Sequence, residues 1–335
     1  MLKGGDMPQG RDMPLLLKLA GAVLALSVAA PVLAQANYPN RPVRVIVGSA
    51  AGGGSDFIAR PILARVAETM GQPFVIENRA GASGMIAMEV TAKAAPDGYT
   101  LLVGTIGNFA SNTAVHPKLA YDPIRDFQPI TKLVDAPFLL SVNPSVPANT
   151  LQEFVAWVKA NPGKVTFSSF GIGSFAHLLG EYFSQRIGVP MVHVPYKGSA
   201  PAIADQVAGH VLAAFDSTQS QIAHVRAKRL RALAMGSATR APSMPEVPTF
   251  AEAGMPDFEA VAWWGLFGPA KLPRPIVDAL HAETVKALAT PDVRERLAGL
   301  GAIPVGNAPE AFAAQVKATI DLHVKIARTA NIKAE

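Results

Sequence analysis

The sequence predicts an α/β fold of two lobes, each with a mainly parallel sheet flanked by helices. After residue 37, short apolar runs alternate with helical stretches, which is typical of parallel strands joined by helices. A glycine-rich loop follows the first apolar run, and two strand-like segments, 128–143 and 258–269, are longer than the others. If these two segments cross between the lobes, they form a hinge of two crossing strands, with a ligand cleft between the lobes.

The first 36 residues have the composition of an export signal. Basic residues precede an apolar stretch, 19–33, that is short for a membrane span, and 34–36 (AQA) fits a small-x-small cleavage site. We expect residues 1–36 to be a signal peptide cleaved after Ala36. Met7 and Met13 are alternative starts to Met1, and an uncleaved anchor is the alternative interpretation of the apolar stretch.

Composition excludes several classes of function. The net charge of +5 is spread along 335 residues, and the densest basic cluster, 226–231, has no interleaved aromatic residues, so we expect no nucleic-acid partner. The chain has no cysteine, which excludes disulfides and thiolate chemistry. His177 and Glu181 have the i, i+4 spacing of metal ligands, but no third ligand accompanies them. We predict neither a metal nor a cofactor.

The elements follow in order from apolar periodicity. Strands are predicted at 43–48, 73–77, 100–105, 165–169, 191–195, 211–215 and 230–235. Helix starts are indicated by a capping box at Thr150 and Glu153, by Ser174 and by Ser199. Pro61 should kink the first helix, and an amphipathic helix at 309–332 should close the first lobe. The predicted lobes are 37–137 plus 262–335, and 138–261.

The loop after the first strand is the strongest indication of a binding site. Gly52-Gly53-Gly54 leads into Ser55-Asp56, which directs backbone N–H groups and a helix N-terminus at one point, where an anion can bind. The third glycine of a dinucleotide fingerprint is missing, and so is the Gly-Lys-Ser/Thr of a P-loop. The alternative is a tight turn whose glycines serve backbone shape alone.

Other loops lie at neighbouring strand ends. The segments 106–109, 170–174, 194–199 and 215–217 each follow a predicted strand, and ligands in α/β sheets bind at the carboxyl ends of strands. Each is a turn if taken alone. Asp56 is either catalytic or a helix-dipole partner, and Lys197 either binds a carboxylate or is solvated. For Trp263-Trp264 the alternatives are hinge and core packing or lining of the cleft.

Six ordered motifs carry a resemblance to a known family over essentially the whole mature chain. The chain resembles the periplasmic substrate-binding receptors of tripartite tricarboxylate transporters, the Bug receptors. The motifs are 38–42 (YPNRP), 52–56 (GGGSD), 75–81 (VIENRAG), 96–101 (PDGYTL), 194–198 (VPYKG) and 245–254 (PEVPTFAEAG). Departures from the family pattern are Ala51, Pro61, Ala80 and Ser83, which leave the loop conformation and the ligand open.

The resemblance implies a type II periplasmic-binding-protein-like fold that closes on a small carboxylate. The implied partners are a small organic anion and the large and small membrane subunits of a transporter, or a sensor protein, and the implied state is a periplasmic monomer. The implied ligand-binding residues are Ser49, Ala50, Gly52, Gly53, Gly54, Ser55, Asp56, Gly107, Asn108 and Phe109 in the first lobe, and Phe170, Gly171, Gly173, Ser174, Tyr196, Lys197, Gly198 and Asp216 in the second.

The sequence therefore favours a receptor over an enzyme. Neither a G-x-S-x-G elbow nor an H-E-x-x-H helix motif is present. The alternatives are an exported hydrolase or isomerase that uses Asp56 or a loop serine with His177 or His193, and a ligand sensor that feeds a signalling kinase. Phe109, Phe170 and Phe175 are expected to favour an aromatic or partly apolar acid.

Overall fold

A computed structural model describes residues 1, 38–49, 51–52, 54–196, 198–241 and 243–333. The chain divides into two compact units, Met1–Asn40 and Arg41–Glu335, and the features below belong to the second. The expected signal peptide, with its cleavage after Ala36, lies outside the described residues. So do three expected ligand-binding residues, Ala50, Gly53 and Lys197. In the described part of the chain, no helix is both long and apolar enough to span a membrane.

The described residues form ten strands and ten helices. The strands are β1 Val43–Val47, β2 Phe74–Asn78, β3 Thr100–Thr105, β4 Phe127–Val142, β5 Thr166–Ser169, β6 Val192–Pro195, β7 Ala213–Ser217, β8 Arg231–Met235, β9 Val261–Pro269 and β10 Ile303–Pro304. The helices are α1 Gly54–Met70, α2 Met85–Ala92, α3 Asn112–Val115, α4 Leu151–Ala160, α5 Phe175–Ile187, α6 Ser199–Ala208, α7 Thr218–Arg226, α8 Arg274–Ala289, α9 Pro291–Gly299 and α10 Pro309–Thr329. A π-helical turn, Gly107–Ser111, precedes α3.

The strands form one mixed sheet in the order β2-β1-β3-β9-β4-β7-β5-β6, with β8 and β10 also paired to β4. The predicted parallel pairing is present in two sets, β2-β1-β3 and β7-β5-β6. The strands β4 and β9 between these sets pair antiparallel with their neighbours. The two long predicted segments are therefore the antiparallel centre of the sheet.

Strand β4 changes partners along its length. Its first part pairs with β9 as far as Pro137 and with β10 at Val134 and Asp135. Its second part, from Phe138 to Val142, pairs with β7 and β8. Proline has no N–H for a ladder, and the register with β9 shifts just after Pro129, as expected for proline inside a central strand. Strand β4 thus connects the two parallel sets, through β9 to β3 of the first and directly to β7 of the second.

Local sequence explains most helix ends. The predicted cap at Thr150 is confirmed, since its Oγ1 accepts from Glu153 N at 3.1 Å. The Glu153 side chain turns back as expected, but its Oε2 accepts from the N–H of Asn149, one residue before the cap, at 2.6 Å. Ser174 caps α5, which ends at Gly188 in the left-handed conformation. The prediction for Ser199 was wrong in its role, because Gly198 precedes α6 and the Ser199 hydroxyl donates to Asp216 instead.

Pro61 does not interrupt α1, which continues for nine residues beyond it to Met70. The proline ring leaves the carbonyl of Phe57 without its helical donor. Buried Ile58 and Ile62 on either side of the proline anchor the helix in the core, which compensates for the lost hydrogen bond. The expected kink is thus not a break in the helix.

Replacing Pro61 with alanine should stabilise the protein. An interior proline costs a helix about 3 kcal/mol, while its effect on the unfolded chain offsets roughly 1 kcal/mol of that cost. We expect Pro61→Ala to raise the free energy of unfolding by about 1–2 kcal/mol in urea titrations. Pro291→Ala is the control, because Pro291 begins α9, where no helical N–H is needed, and it should give no gain. A Pro61→Ala variant no more stable than the parent would contradict this account.

Candidate functional site

A cavity of about 570 Å³ lies where β4 changes partners. The part of β4 where the partners change, residues 136–138, forms one section of the wall and is called the β4 crossing point below. The starts of α1, α6 and α7 and the end of β7 form a second section. The loop after β5, strand β9 and the loop before β10 complete the wall. The lining residues are Gly54, Phe57, Ile58, Ala136, Pro137, Phe138, Phe170, Ser199, Asp216, Ser217, Thr218, Gln219, Ser220, Trp264, Leu300, Gly301 and Ala302.

Three helices begin at this cavity. Helices α1, α6 and α7, of 17, 10 and 9 residues, all contribute first-turn residues to its wall. The first N–H groups of a helix have no partner within the helix, and the helix dipole adds partial positive charge at the same end. The described part of the wall contains no lysine or arginine. The cavity can therefore attract an anion through backbone and hydroxyl groups.

The first turn of α7 is held rigidly by serine and threonine hydroxyls. Ser217 caps the helix, since its Oγ accepts from Ser220 N at 3.3 Å and lies 2.7 Å from Ser220 Oγ. Thr218 Oγ1 donates to the carbonyl of Pro137 at 3.0 Å, which ties α7 to the β4 crossing point. The position of this turn in the wall is thus fixed by the strand that connects the two sets.

Asp216 is the one carboxyl group among the described lining residues. Its side chain is 2% exposed, Oδ2 accepts from Ser199 Oγ at 2.5 Å, and Oδ1 accepts from Ser217 N at 2.6 Å. Burial raises the pKa of Asp216 to about 6, although the hydrogen bonds from Ser199, Ser217 and Ser220 act in the opposite direction. This acid is therefore partly protonated near pH 6.

Asp56 has the opposite electrostatic environment and braces the first loop. Its Oδ2 accepts from Gly52 N at 2.9 Å and from Arg60 Nε at 2.8 Å, and its Oδ1 accepts from Asn78 Nδ2 at 3.2 Å. Burial alone would raise the pKa of Asp56, but the hydrogen bonds from these three residues hold it below its usual value. Asp56 thus holds Gly52 in place and does not line the cavity.

Ser49 follows β1, and Ser55 lies in the first turn of α1, next to Asp56. Ser55 Oγ accepts from Trp264 Nε1 at 2.9 Å, which joins the start of α1 to β9 and holds Trp264 in the cavity wall. Trp263, by contrast, is 1% exposed and packs in the core, so the tandem tryptophans serve both of the expected roles. Ser49 Oγ is buried and has no hydrogen-bond partner among the described residues.

The Gly107-Asn108 loop does not line the cavity, and Asn108 holds neighbouring segments together. Asn108 Oδ1 accepts from Thr105 N at 3.1 Å, and Asn108 Nδ2 donates to Ser83 O at 3.0 Å. A Cβ on Gly84 would lie 2.3 Å from Asn108 Nδ2, so glycine is needed at this close approach. Asn108 therefore links the end of β3 to the turn before α2.

Phe109 is not a cavity residue, and the expectation that it shapes the cleft was wrong. Its ring is fully buried and stacks on Phe267 at 4.2 Å, with Phe127 edge-on at 5.2 Å. The π-helical turn after β3 directs this side chain into the sheet core, away from the strand ends. Phe175 likewise does not line the cavity, and only Phe170 of the three expected aromatic residues does.

The loop after β5 is clamped by a serine–histidine pair. Ser169 Oγ lies 2.6 Å from His193 Nε2 and also bonds to the backbone of Gly171, while Gly173 N donates to His177 Nδ1 at 3.1 Å. Burial lowers the pKa of both imidazoles to about 4, and in His177 the nearby His193 adds to the effect. Ser169 is fully buried, so this pair holds a loop and lacks the access a nucleophile needs.

The remaining expected residues support loops around the cavity. Gly171, Gly173 and Ser174 shape the turn into α5, with Ser174 as its cap. Tyr196 donates its hydroxyl to Asp205 at 2.7 Å and does not line the cavity, and Gly198 precedes α6. Among the described residues, no group of three or more histidine, aspartate or glutamate side chains could hold a metal ion.

Several residues of the cavity wall are not among the ligand-binding residues expected from the sequence. The first turn of α7 had a legible signal, because Ser217 and Ser220 follow a predicted strand with the spacing of a helix cap. Phe57, 136–138 and 300–302 carry no chemical signature, and they reach the wall only through the packing of distant elements.

The fold and cavity are those of an α/β solute-binding protein, and comparisons with known proteins identify the family. A sequence model described as "Tripartite tricarboxylate transporter family receptor" matches residues 58–328. Protein BugT of Bordetella pertussis is 38% identical over 301 residues, covering 89% of this chain and 92% of BugT. The chain belongs to the tripartite tricarboxylate transporter receptor family. Members of this family are periplasmic solute receptors rather than enzymes.

Two solved structures of relatives share the fold and contain carboxylates. Rpa4515 of R. palustris, with adipate, is 36% identical with a TM-score of 0.74, and the match covers 88% of this chain and 99% of Rpa4515. MatC from Rhodopseudomonas palustris, with bound malate, is 37% identical with a TM-score of 0.70, covering 86% and 99% of the two chains. The predicted α/β solute-receptor fold is confirmed.

Loss of the Asp56 brace should destabilise the protein in a pH-dependent way. A carboxyl group with a lowered pKa contributes stability above its unfolded value, near 3.8, and loses it as the pH falls through the folded pKa. We expect Asp56→Asn to lower the free energy of unfolding by about 1–2 kcal/mol at pH 7 and by a smaller amount at about pH 3, below the unfolded pKa. Urea unfolding at both pH values measures this.

Asp321→Asn is the matched control for the Asp56 variant. Asp321 pairs with Lys317 on the exposed face of α10, so its removal should change the free energy of unfolding by at most about 0.5 kcal/mol. If Asp56→Asn had no larger effect than Asp321→Asn at pH 7, Asp56 would not be the brace of the loop.

Proposed function

We propose that this protein is a periplasmic receptor that captures a small organic carboxylate in the cavity at the β4 crossing point. The observation that carries the proposal is the convergence of three helix N-termini and several hydroxyls on a cavity whose remaining lining residues are mostly apolar. Adipate and malate, which the two solved relatives contain, are both carboxylates and support this ligand class.

The helix N-termini, hydroxyls and apolar side chains of the wall are sufficient for a micromolar dissociation constant. A helix N-terminus contributes about 0.3–1 kcal/mol toward an anion, and up to about 2 kcal/mol when partly buried. Hydrogen bonds to a charged group add about 1.5–3 kcal/mol each. A micromolar dissociation constant needs about 8 kcal/mol, so two or three such contacts and the apolar walls around Phe57, Phe170 and Trp264 could supply it.

The proposed lobes are 37–137 with 262–335, and 138–261. Phe57, Trp264 and Leu300 in the cavity wall come from the first lobe, and Phe170, Ser199 and Asp216 come from the second. The chain passes between them near Pro137 and Val261, where β4 and β9 are paired. Hinge motion at these strands would close the two sides on the ligand and exclude water from it.

Some of the ligand-binding residues expected from the sequence are retained in the proposed site, and others are assigned a supporting role. Gly54, Phe170 and Asp216 stay as ligand contacts, with Ser199, Ser217, Thr218 and Ser220 added to them. Gly52, Ser55, Asp56, Asn108 and Ser174 are proposed to support the loops. The receptor is proposed to act as a monomer that delivers its ligand to large and small membrane transporter subunits, or to a sensor protein.

A thermal-shift screen of the protein from Asn37 tests the ligand class. Adipate, malate and benzoate would be compared with glucose and inorganic phosphate at pH 6. Ligand at 100 times its dissociation constant stabilises a protein by about 2.7 kcal/mol, which is several degrees in melting temperature. We expect a shift with at least one carboxylate and none with glucose. Shifts confined to glucose or phosphate would contradict the proposal.

A pair of phenylalanine variants tests the location of the site. Phe170 lines the cavity and Phe175 does not, although both rings pack on Phe138, at 6.2 and 5.0 Å between centroids. We expect Phe170→Ala to weaken binding of the best carboxylate in the screen by about 5- to 30-fold, because apolar contact worth about 1–2 kcal/mol is lost.

Phe175→Ala should cost similar stability but change affinity by less than about threefold. Isothermal titration calorimetry gives the affinities, and thermal unfolding gives the stability of each variant. Equal loss of affinity in both variants would show that the effect comes from general destabilisation and would place the ligand elsewhere.

A further inference from the structure

Asp216 poses a physical problem for a site that takes an anion. It is the one carboxyl group among the described residues of the cavity wall, and it is almost fully buried. If it were ionised, a ligand carboxylate in the same cavity would meet a second negative charge at low dielectric, which is strongly unfavourable. The inference below rests on the proposed function, because it concerns how that site accepts a carboxylate.

The groups that hold Asp216 are all neutral. Oδ2 accepts from the Ser199 hydroxyl and Oδ1 accepts from the backbone N–H of Ser217. A protonated Oδ2 has one O–H to donate and a lone pair that still accepts, so Ser199 can keep donating to Oδ2 in either protonation state while the proton faces the ligand. The geometry therefore leaves Oδ2 free to carry a proton without losing its present partner.

The described charged groups on the surrounding elements are not bonded to Asp216. Across the cavity, Asp56 is paired with Arg60 on α1, and on α6 Asp205 is bonded to Tyr196 and His210. Strand β4 carries Lys132 paired with Asp135, and α7 carries His224 and Arg226. Helix α5 carries His177 near Glu181, and Arg186, which donates to the Tyr182 hydroxyl. None of these forms a hydrogen bond or ion pair with Asp216 in the described structure. Lys197 lies outside the described residues.

We propose that Asp216 binds the ligand in its protonated form, as a hydrogen-bond donor to the ligand carboxylate, so that one proton enters the site with each carboxylate. The proton comes from solvent, stays on Oδ2 and is shared in a hydrogen bond with a ligand oxygen. A carboxylic acid facing a carboxylate makes a short, charge-assisted hydrogen bond. The site then holds one net negative charge, which the three helix N-termini stabilise.

The protonation equilibrium of the free protein agrees with this role. Burial already raises the pKa of Asp216 to about 6, and a bound anion would raise it further. Below pH 6 the acid is mostly protonated before the ligand arrives, so affinity should not depend on its titration. Above pH 6 the proton must be taken up on binding, and affinity should fall by up to roughly tenfold for each pH unit.

Isothermal titration calorimetry in buffers of different ionisation enthalpy measures the number of protons taken up on ligand binding. The probe is whichever of adipate, malate and benzoate gives the largest thermal shift, titrated at pH 7 in HEPES and in Tris. The slope of observed enthalpy against buffer ionisation enthalpy gives the number of protons taken up. We expect between about 0.5 and 1 proton for the parent protein, and affinity weaker by about tenfold at pH 8 than at pH 7.

The Asp216→Asn variant tests whether Asp216 carries the proton that is taken up on binding. Its amide can accept from Ser217 N and donate toward Ser199 or the ligand, so it imitates the protonated acid without titrating. We expect this variant to take up no proton, and to bind at pH 8 at least tenfold more tightly than the parent. Asp205→Asn is the matched control, because Asp205 is an acid on α6 that does not line the cavity, and proton uptake should persist in it.

The outcomes separate this inference from the function on which it rests. Binding with no proton uptake by the parent protein, or equal uptake by parent and Asp216→Asn, overturns the role of Asp216 and leaves the receptor function intact. Affinity that rises with pH would also overturn the role of Asp216, because a proton donor to the ligand must lose affinity as it ionises. Failure of every carboxylate to bind at pH 6 overturns the proposed function itself. If Asp216→Asn does not fold, absence of proton uptake by the parent still overturns the role of Asp216, and the fall in affinity between pH 7 and pH 8 tests it independently.

Discussion

The exchange of partners along strand β4 is the constraint on which the rest of the structure depends. One strand pairs with β9 and β10 up to Pro137 and with β7 and β8 from Phe138 onward. Because β4 pairs with β7 of the second parallel set and, through β9, is joined to β3 of the first, the starts of α1, α6 and α7 are brought to the same region, although they are far apart in the sequence. The hydrogen bond from Thr218 to the carbonyl of Pro137 fixes one of these helices directly to the crossing point.

Two buried aspartates show how the same side chain acquires different roles. Asp56 accepts hydrogen bonds from a cation, an amide side chain and a backbone N–H, so its charge is stabilised and its pKa lies below the usual value. Among the described residues Asp216 has only neutral donors, so burial dominates and its pKa rises. The first acid holds a loop, and the second is proposed to meet the ligand. Their difference depends on Arg60, which lies one helical turn from Asp56 and has no counterpart at Asp216 among the described residues.

Much of the fold could be predicted from the sequence because strands and helix caps are local features. The seven short predicted strands lie within two residues of those in the structure, and the cap at Thr150 is confirmed. The candidate site was harder to predict, because lining a cavity depends on the direction of a side chain after distant elements pack. Phe109 shares its loop with Asn108 yet faces the core, and Leu300 reaches the wall from a loop near the C-terminus. Neither direction is encoded in the local pattern.

The central claim, that the cavity at the β4 crossing point holds a carboxylate between helix N-termini, is tested most directly by a crystal structure. The protein from Asn37 would be crystallised at pH 6 with the carboxylate that stabilises it most. The account predicts carboxylate oxygens within hydrogen-bond distance of the first turns of α1 and α7, with the ligand body against Phe170 and Trp264. A carboxylate bound outside this cavity, or one paired with a lysine or arginine in place of these backbone and hydroxyl groups, would contradict it.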